Sequence, residues 1–427
     1  MRVPAHSIAS FAPYPSCTSH KKALFPSSPS PAPQSTRNMY APLGLPTELL
    51  QTIMTHLDTP SLASSAQVCK TWHTLLGDNI LWKRLCNQNN WHPISKTRTE
   101  MIKEVSLKPW KHVYKHNFLT WVNWMRGDCQ VRSVLDVEGN GRNLPMQFDD
   151  SWVVSVVLGE DGKVWDMETG ECHFRLVGHQ GTISAVKFDR KYVVTGGIDT
   201  TLKIWDISSG ECLRTLVGHQ GEIVSVQYDD DVVVSGSEDC DIRVWRMGTG
   251  ECLSVLSGHT GAVCCLQFEK DVIVSGSADH TIKIWSLLTP MTPRTLTGHT
   301  GYVYCLQFNH THICSGSEDA SIKVWDMVSG QCLKTLLGHE MGVVCLQFDE
   351  RKIVSGSSDK SVKVWDMKTG SCLYTLKQHT ETVWNLKFTS TKLITSSFDR
   401  TLLVWDFAVI DDNDDKEDKE EEEEEDA

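Results

Sequence analysis

Tryptophan falls at positions 165, 205, 245, 285, 325, 365 and 405, so a spacing of 40 residues is kept through seven units without an insertion. Five of the seven are followed by aspartate, as in Trp165-Asp166 and Trp405-Asp406. Gly-His stands at a fixed distance ahead of five of them, at Gly178-His179, Gly218-His219, Gly258-His259, Gly298-His299 and Gly338-His339. Each unit reads as four short strands with turns between. One such unit cannot bury its apolar face alone, so the units must stack on one another.

The repeated polar residues have a structural use. One unit carries His299, Ser315, Asp319 and Trp325, and the same slots hold His179, Thr195, Asp199 and Trp205 or His379, Thr395, Asp399 and Trp405. An imidazole, a hydroxyl, a carboxylate and an indole N–H can satisfy one another in a chain, as buried polar groups require. Taken singly, Ser, His and Asp invite a hydrolase reading. A catalytic triad occurs once, however, and this set occurs six times at one spacing, with no G-x-S-x-G elbow. The first unit departs, with Gly139 and Gly159 in the His and Asp slots beside Ser155 and Trp165. That unit is expected to be looser or to be held by its neighbours.

A repeat of ~40–45 residues punctuated by Gly-His and Trp-Asp is the signature of a propeller blade. Residues 130–407 resemble the WD-repeat family, and the resemblance implies the polar tetrad inside each blade. The expected fold is an all-β, seven-bladed propeller over 130–410. The last unit turns acidic after Trp405-Asp406, with no outer strand to follow. Gln130–Leu135 aligns with the outer strand Cys212–Leu216 and is expected to complete the seventh blade, which removes an open edge.

The rest of the chain divides by composition. Residues 1–40 are rich in Pro and Ser and lack Asp and Glu, the composition of a disordered arm. Over 41–88 the apolar spacing becomes helical: Leu49, Leu50, Ile53, Met54 and Leu57 share one stripe behind Pro46, and short helices follow. Residues 89–129, with Trp91, Trp110, Trp121 and Trp124, read as a helical connector whose aromatics dock on neighbouring domains. Residues 411–427 form an acidic tail with 13 carboxylates and 2 lysines, against a net charge of −13 for the whole chain. The body is therefore near neutral, which argues against a nucleic-acid partner. The tail is either a solvated solubility segment or a cover for a basic patch.

Leu45-Pro46-x-Glu48-Leu49, then Ile53, Leu57, Ser61-Leu62, Val68-Cys69-Lys70 and Trp72, resemble the F-box. With the propeller behind it, the whole chain resembles the F-box/WD-repeat family, the substrate receptors of SCF-type cullin-RING ubiquitin ligases. The resemblance implies a small all-α F-box that docks on a Skp-type adaptor, and through it on a cullin and a RING subunit. The expected contacts are Leu45, Pro46, Leu49, Ile53 and Leu57, an apolar helix edge in a groove. The propeller is expected to hold a protein substrate for ubiquitination and degradation, with no catalytic residue, cofactor or metal of its own. The alternative is a non-degradative propeller scaffold.

The 15 cysteines include no CxxC pair, and Cys172, Cys212, Cys252, Cys332 and Cys372 recur with the repeat. A thiol at one repeated slot is expected to act as a small buried hydrophobe. No apolar run of about 18 residues calls for a membrane span, and no secretory signal is evident. The expected location is intracellular, in cytoplasm, nucleus or both. Partners of a propeller meet one face at loop-proximal slots, and phosphodegron receptors of the resembling family place arginines there. None of the eighteen such slots here is Arg or Lys. Three are Glu222, Glu238 and Glu318, and four are the large aromatics Tyr302, Tyr304, Trp384 and Phe398. The expected substrate therefore carries an apolar or aromatic anchor and basic residues, unless some of these aromatics only pack between blades.

Overall fold

The computed structural model describes residues 47–57, 59–67, 70–77, 79–89, 91, 110–136, 143–148, 152–157, 161–166, 169, 171–288 and 292–408. The expected arm over 1–40, the acidic tail over 411–427, and Leu45, Pro46, Gly139 and Gly159 lie outside the described residues. The chain divides into two compact units, one up to Arg84 and one from Leu85 onward.

The first unit is helical. Helices α1 (Thr47–Met54), α2 (Thr59–Ala66), α3 (Lys70–Leu76) and α4 (Asn79–Gln88) follow in short succession, α4 carrying the division between the units. Pro60 stands in the first turn of α2, where its missing N–H costs nothing. Gly77 closes α3, its N–H donating to the carbonyls of His73 and Thr74. Leu50, Met54, Leu62, Leu75, Leu76, Leu81 and Trp82 are buried. The indole N–H of Trp82 donates to the Leu76 carbonyl at 2.6 Å.

After the end of α4, the second unit carries α5 (Trp110–Arg126) and then seven four-stranded antiparallel sheets. Blades 1 to 6 are continuous in sequence, and blade 2, for example, runs Ile183–Phe188, Tyr192–Gly197, Thr201–Asp206 and Cys212–Val217 from the axis outward. Blade 7 takes its outer strand from Gln130–Asp136, which pairs antiparallel with Thr401–Asp406, Gln130 opposite Asp406 and Val131 opposite Trp405. These two strands close the ring as expected, and each of the seven sheets has its fourth strand.

In blades 2 to 6 burial falls from the second strand outward. The second strand is buried on both faces, as in Val232–Ser237. The third alternates, and the outer strand is exposed, as in Cys212–Val217. This gradient corrects the reading of the repeated cysteines: Cys172, Cys212, Cys252, Cys332 and Cys372 are exposed. Each opens an outer strand, and in four of the five a single later residue, such as Leu216, is buried. Buried thiols occur instead on inner and second strands, at Cys345 and Cys314.

The apolar cores lie between blades. Ile322, Val324 and Leu336 of blade 5 pack with Val343, Phe348, Ile353 and Trp365 of blade 6. Glutamines on the inner strands add a polar clamp: the carbonyl oxygen of Gln307 accepts the Phe348 N–H at 2.6 Å, and that of Gln347 accepts the Phe388 N–H at 2.6 Å. In blades 2 and 7 the slot holds Lys187 and Lys387. Burial, with the charge of Lys387, pulls the Lys187 ammonium below its ordinary range.

Helix α5 docks on blade 7. Trp124 lies in its core with Phe388 and Phe407, and its indole N–H donates to the Ser390 carbonyl at 2.8 Å. Arg351 of blade 6 stands over the rings of Trp91 and Trp121, at 5.1 and 6.0 Å, and donates to the Asn89 carbonyl at 3.1 Å. Trp91, Trp121 and Trp124 thus all take part in packing.

Candidate functional site

The polar tetrad forms in six blades. In each, the imidazole Nδ1 lies 2.7–3.0 Å from the aspartate, and Nε2 lies 2.7–2.8 Å from the Ser or Thr hydroxyl. The tryptophan N–H donates to the same hydroxyl at 2.8–3.0 Å. Because the carboxylate accepts from Nδ1–H, Nε2 is left to accept from the hydroxyl, so the neutral imidazole satisfies every member. Burial pulls His179, His219, His259, His299 and His379 below the ordinary imidazole value, outweighing the pull of their aspartates. The hydroxyl is saturated by two buried partners, so this set has no free nucleophile. In the first blade Trp165 is only half-buried, whereas its six counterparts are buried.

The tetrad aspartate also shapes one face of the propeller. Its Oδ2 accepts the N–H of the residue after the histidine, as from Thr300 to Asp319 at 3.0 Å. Its Oδ1 accepts the N–H two residues on, as from Ser321 at 2.9 Å. The intervening Ala320 takes a φ of 63°, and Thr200, Cys240, His280, Lys360 and Arg400 do likewise in their blades. Burial pushes the Asp279 carboxyl up, but hydrogen bonds from Thr281, the Thr260 N–H and His259 outweigh it and hold it at about 2.

These two anchored loops carry the residues singled out from sequence. The residue before each inner strand is paired by its backbone to the residue before the tetrad aspartate. Glu238 N–H donates to the Glu222 carbonyl at 2.9 Å, Glu318 N–H to that of Tyr302 at 2.9 Å, and Phe398 N–H to that of Thr382 at 3.0 Å. Tyr302 and Tyr304 meet edge to face at 6.3 Å, with Tyr302 43% exposed. Trp384 stacks on Phe398 at 4.9 Å and is 37% exposed. Each aromatic pair is therefore built within one blade, 5 or 7, and the two pairs are separate features. Glu238 and Glu318 are exposed and Glu222 is half-buried. Burial, eased by a hydrogen bond from Ser184 and reinforced by Glu238, pushes the Glu222 carboxyl above its ordinary range.

Blade 4 presents only small residues in the three slots, Ala262, Cys264 and Ala278, as their register in the sequence gives.

In the helical unit, the single stripe of the sequence reading separates into two rows. Leu50 and Met54 are buried, at 2% exposure each, whereas Leu49 and Ile53 are 52% and 47% exposed. Leu57, three residues beyond the end of α1, is half-buried. No described helix is long and apolar enough to cross a membrane.

Comparison with known proteins agrees with both parts of the chain. The F-box-like family model matches residues 43–88. The WD domain, G-beta repeat, matches six times, at 170–206, 210–246, 250–286, 291–326, 330–366 and 370–406, more than half of the chain in all. A "Probable E3 ubiquitin ligase complex SCF subunit sconB" of Arthroderma benhamiae is 30% identical over 155 residues, 30% of this chain and 23% of that protein. The "F-box/WD repeat-containing protein 7" of Drosophila melanogaster is 37% identical over 146 residues, 33% of this chain and 11% of that protein. An F-box protein of Saccharomyces cerevisiae is 28% identical over 155 residues, 31% of this chain and 24% of that protein. The matched segments span a quarter or less of these three relatives. Among solved structures, the computationally designed Ika8 protein superposes with a TM-score of 0.57 at 40% identity, covering 62% of this chain and 83% of its own. The WD40 β-propeller domain of Doa1 superposes with a TM-score of 0.57 at 27% identity, covering 65% of this chain and 97% of its own. Six matched repeats, seven closed blades and the helical segment ahead of them make this chain a member of the WD-repeat family that carries an F-box-like segment.

Proposed function

We propose that this protein is the substrate-recognition subunit of an SCF-type ubiquitin ligase. The observation that carries the reading is the exposed row Leu49–Ile53 on a four-helix unit that precedes a propeller. Two large apolar side chains on one helix edge, outside a core that Leu50 and Met54 already fill, fit the groove of a Skp-type adaptor. Leu45, Pro46 and Leu57 extend the same contact in this reading. The sconB relatives, named as probable SCF subunits, support it. The adaptor brings a cullin and a RING subunit with a charged conjugating enzyme. The propeller holds the substrate, and its lysine meets activated ubiquitin at raised effective concentration. No side chain of this chain makes or breaks a bond in that scheme, and the tetrads serve only to hold loops. The place of action is intracellular.

The test is affinity capture from cells with the full chain and with a Leu49→Asp, Ile53→Asp variant. The expected result is co-capture of a Skp-type adaptor and a cullin by the first and not by the second, with the same propeller unfolding transition in both. Equal capture by the two chains overturns the assignment of this face, and no adaptor on either overturns the receptor reading.

A further inference from the structure

The outer strand of a blade is the edge of its sheet. A bare edge is a template for another strand unless charge or cover blunts it. Five of the seven outer strands carry a cation: Arg132, Arg175, Arg214, Arg294 and Lys334. Arg294 and Lys334 also tie their blade to the next. The Arg294 guanidinium donates to the Met327 carbonyl at 3.2 Å, and the Lys334 ammonium donates to that of Met367 at 2.8 Å. The two uncharged outer strands are Cys252–Ser257 of blade 3 and Cys372–Leu376 of blade 6. The edge of blade 6 is covered from within the chain. Leu373 and Tyr374 pack against the core that holds Trp124 of α5. A Cβ at Gly127, just after that helix, would come within 3.0 Å of the Tyr374 ring.

Blade 3 has neither device. Cys252–Ser257 stands at the end of its sheet, and among the described residues it pairs only with Asp241–Arg246, in a ladder that is regular from Ser254 to Ser257. None of its residues is buried, and Leu253 and Val255 are 41% and 44% exposed. Val255 takes a slot that is threonine in blades 2, 4, 5 and 6. There Thr215, Thr295, Thr335 and Thr375 each accept from a lysine ammonium of the third strand at 2.7–2.9 Å. Opposite Val255 stands Arg243, whose Nε is buried without a hydrogen-bond partner. Blade 3 thus gives up a polar cross-strand bond and shows an apolar side chain in its place. The seat of α5 on blades 6 and 7 lies three places away around the ring in either direction, so that helix leaves this edge open.

We propose that two copies of this chain pair edge to edge through Cys252–Ser257 of blade 3, antiparallel about a two-fold axis. A contact of that symmetry sets the strand against itself, so its centre must tolerate its own copy. At the centre of their strands the other edges hold Arg132, Arg214, Arg294 and Lys334, and a second copy would set like cations opposite each other. Blade 3 holds Ser254 and Val255 there, and no charge in the strand opposes the approach. The pairing gives partners to the N–H and C=O groups of the edge and covers Leu253 and Val255. Charge elsewhere permits it. The 13 carboxylates and 2 lysines of residues 411–427 hold −11 of the net −13, so the body of each copy is near neutral. Each chain has one such edge, so the assembly closes at two. The proposal stands apart from the receptor reading, since it uses no residue of the helical unit.

Sedimentation velocity of the purified full chain under reducing conditions tests it, over about 1–100 μM, the range suited to a small interface. The expected result is a monomer–dimer equilibrium. A Ser254→Lys, Val255→Thr variant rewrites the strand as Cys-Leu-Lys-Thr-Leu, the outer strand of blade 5, and is therefore expected to keep the thermal transition. It is expected to raise the dissociation constant of the dimer at least about tenfold, because like charges then meet across the axis. Hydrogen exchange locates the contact. Amides of Cys252–Ser257 are expected to gain protection as the chain is concentrated, and those of the cationic edge Cys212–Val217 are not. A chain that stays monomeric over the range, as it would if the edge takes a strand of another protein, overturns the proposal. So does a dimer that the variant leaves unchanged, protection confined to other segments, or growth beyond two copies.

Discussion

Trp124 stacks on Phe407 with ring centroids 3.8 Å apart and planes 16° from parallel. One residue precedes the strand that closes the ring, and the other follows the last strand of the repeats. Asn123 adds a hydrogen bond from its side-chain amide to the Phe407 carbonyl at 3.1 Å. The seventh blade is therefore held twice: by the ladder between Gln130–Asp136 and Thr401–Asp406, and by this stack at its end. Lys352 stands over Trp124 and Phe388, 4.5 Å from each ring centroid, with Asp349 at 2.6 Å from its ammonium.

Phe407 is fully buried and Trp124 is 1% exposed. Replacing either by Ala is expected to cost ~3–5 kcal/mol of unfolding free energy, the range for large aromatics lost from a core. The double variant is expected to cost less than the sum, because each single change already leaves the partner ring without its stack. Urea unfolding followed by tryptophan-independent circular dichroism checks both statements. A fully additive pair would mean that the two rings are held by other neighbours.

The tetrads make a second, sharper expectation. Ser315→Ala removes the acceptor of the Trp325 N–H and the donor to His299 Nε2. Two buried groups lose a partner, at ~1–3 kcal/mol each for the unmet group. Trp325→Phe removes the donor itself and is expected to leave the hydroxyl–imidazole–carboxylate part intact. The loops anchored by Asp319, and Tyr302 with them, should become more protease-sensitive in Ser315→Ala. Equal protection of this loop in both variants would separate the tetrad from loop order.

Acid is expected to destabilise the propeller in two windows. Five tetrad histidines have folded values below the ordinary imidazole. The unfolded chain therefore binds protons that the folded chain refuses, and stability falls as pH drops from about 6.5 through the folded values. Asp279, held at about 2, and the other tetrad carboxylates whose values are lowered act with the same sign at lower pH. Their stabilisation is full above the unfolded carboxyl value of about 4 and is lost as pH falls toward 2. The urea midpoint should drop steadily between about pH 7.5 and 5. A midpoint that rises over that interval would show that the histidines are charged in the folded state.

Much of this architecture is legible in the sequence because the repeat fixes it many times over. Trp205 through Trp405 and their His, Ser or Thr and Asp partners could be read in register, and the ring closed where Gln130–Leu135 matched an outer strand. What escaped depends on depth within a blade. Cys212 and its equivalents repeat as regularly as the tetrad, but period says nothing about whether a slot faces core or solvent, and the outer strand is solvated. In α1 the spacing of Leu49, Leu50, Ile53 and Met54 gave one wide stripe, and only packing could show which edge the core claims.

That division of α1 yields the last expectation. Leu50 and Ile53 are three residues apart on the same helix, equally apolar, and differ in exposure, 2% against 47%. Leu50→Ala leaves a cavity at a fully buried position and is expected to cost ~2–5 kcal/mol of stability in a unit too small to spare it. Ile53→Ala removes little packing and should move stability by no more than ~0.5 kcal/mol, the usual scale for a surface change. On the adaptor the order reverses in kind. Ile53→Ala, with the chain folded, is expected to weaken capture by ~2 kcal/mol if the residue is an interface hot spot. Leu50→Ala should weaken it only in proportion to the unfolded fraction of the helical unit, so lowering the temperature restores capture by Leu50→Ala and not by Ile53→Ala. A titration of purified adaptor at two temperatures reads the difference. Temperature-independent loss with Leu50→Ala, or undiminished capture with Ile53→Ala, would place the docking edge on another face of the helix.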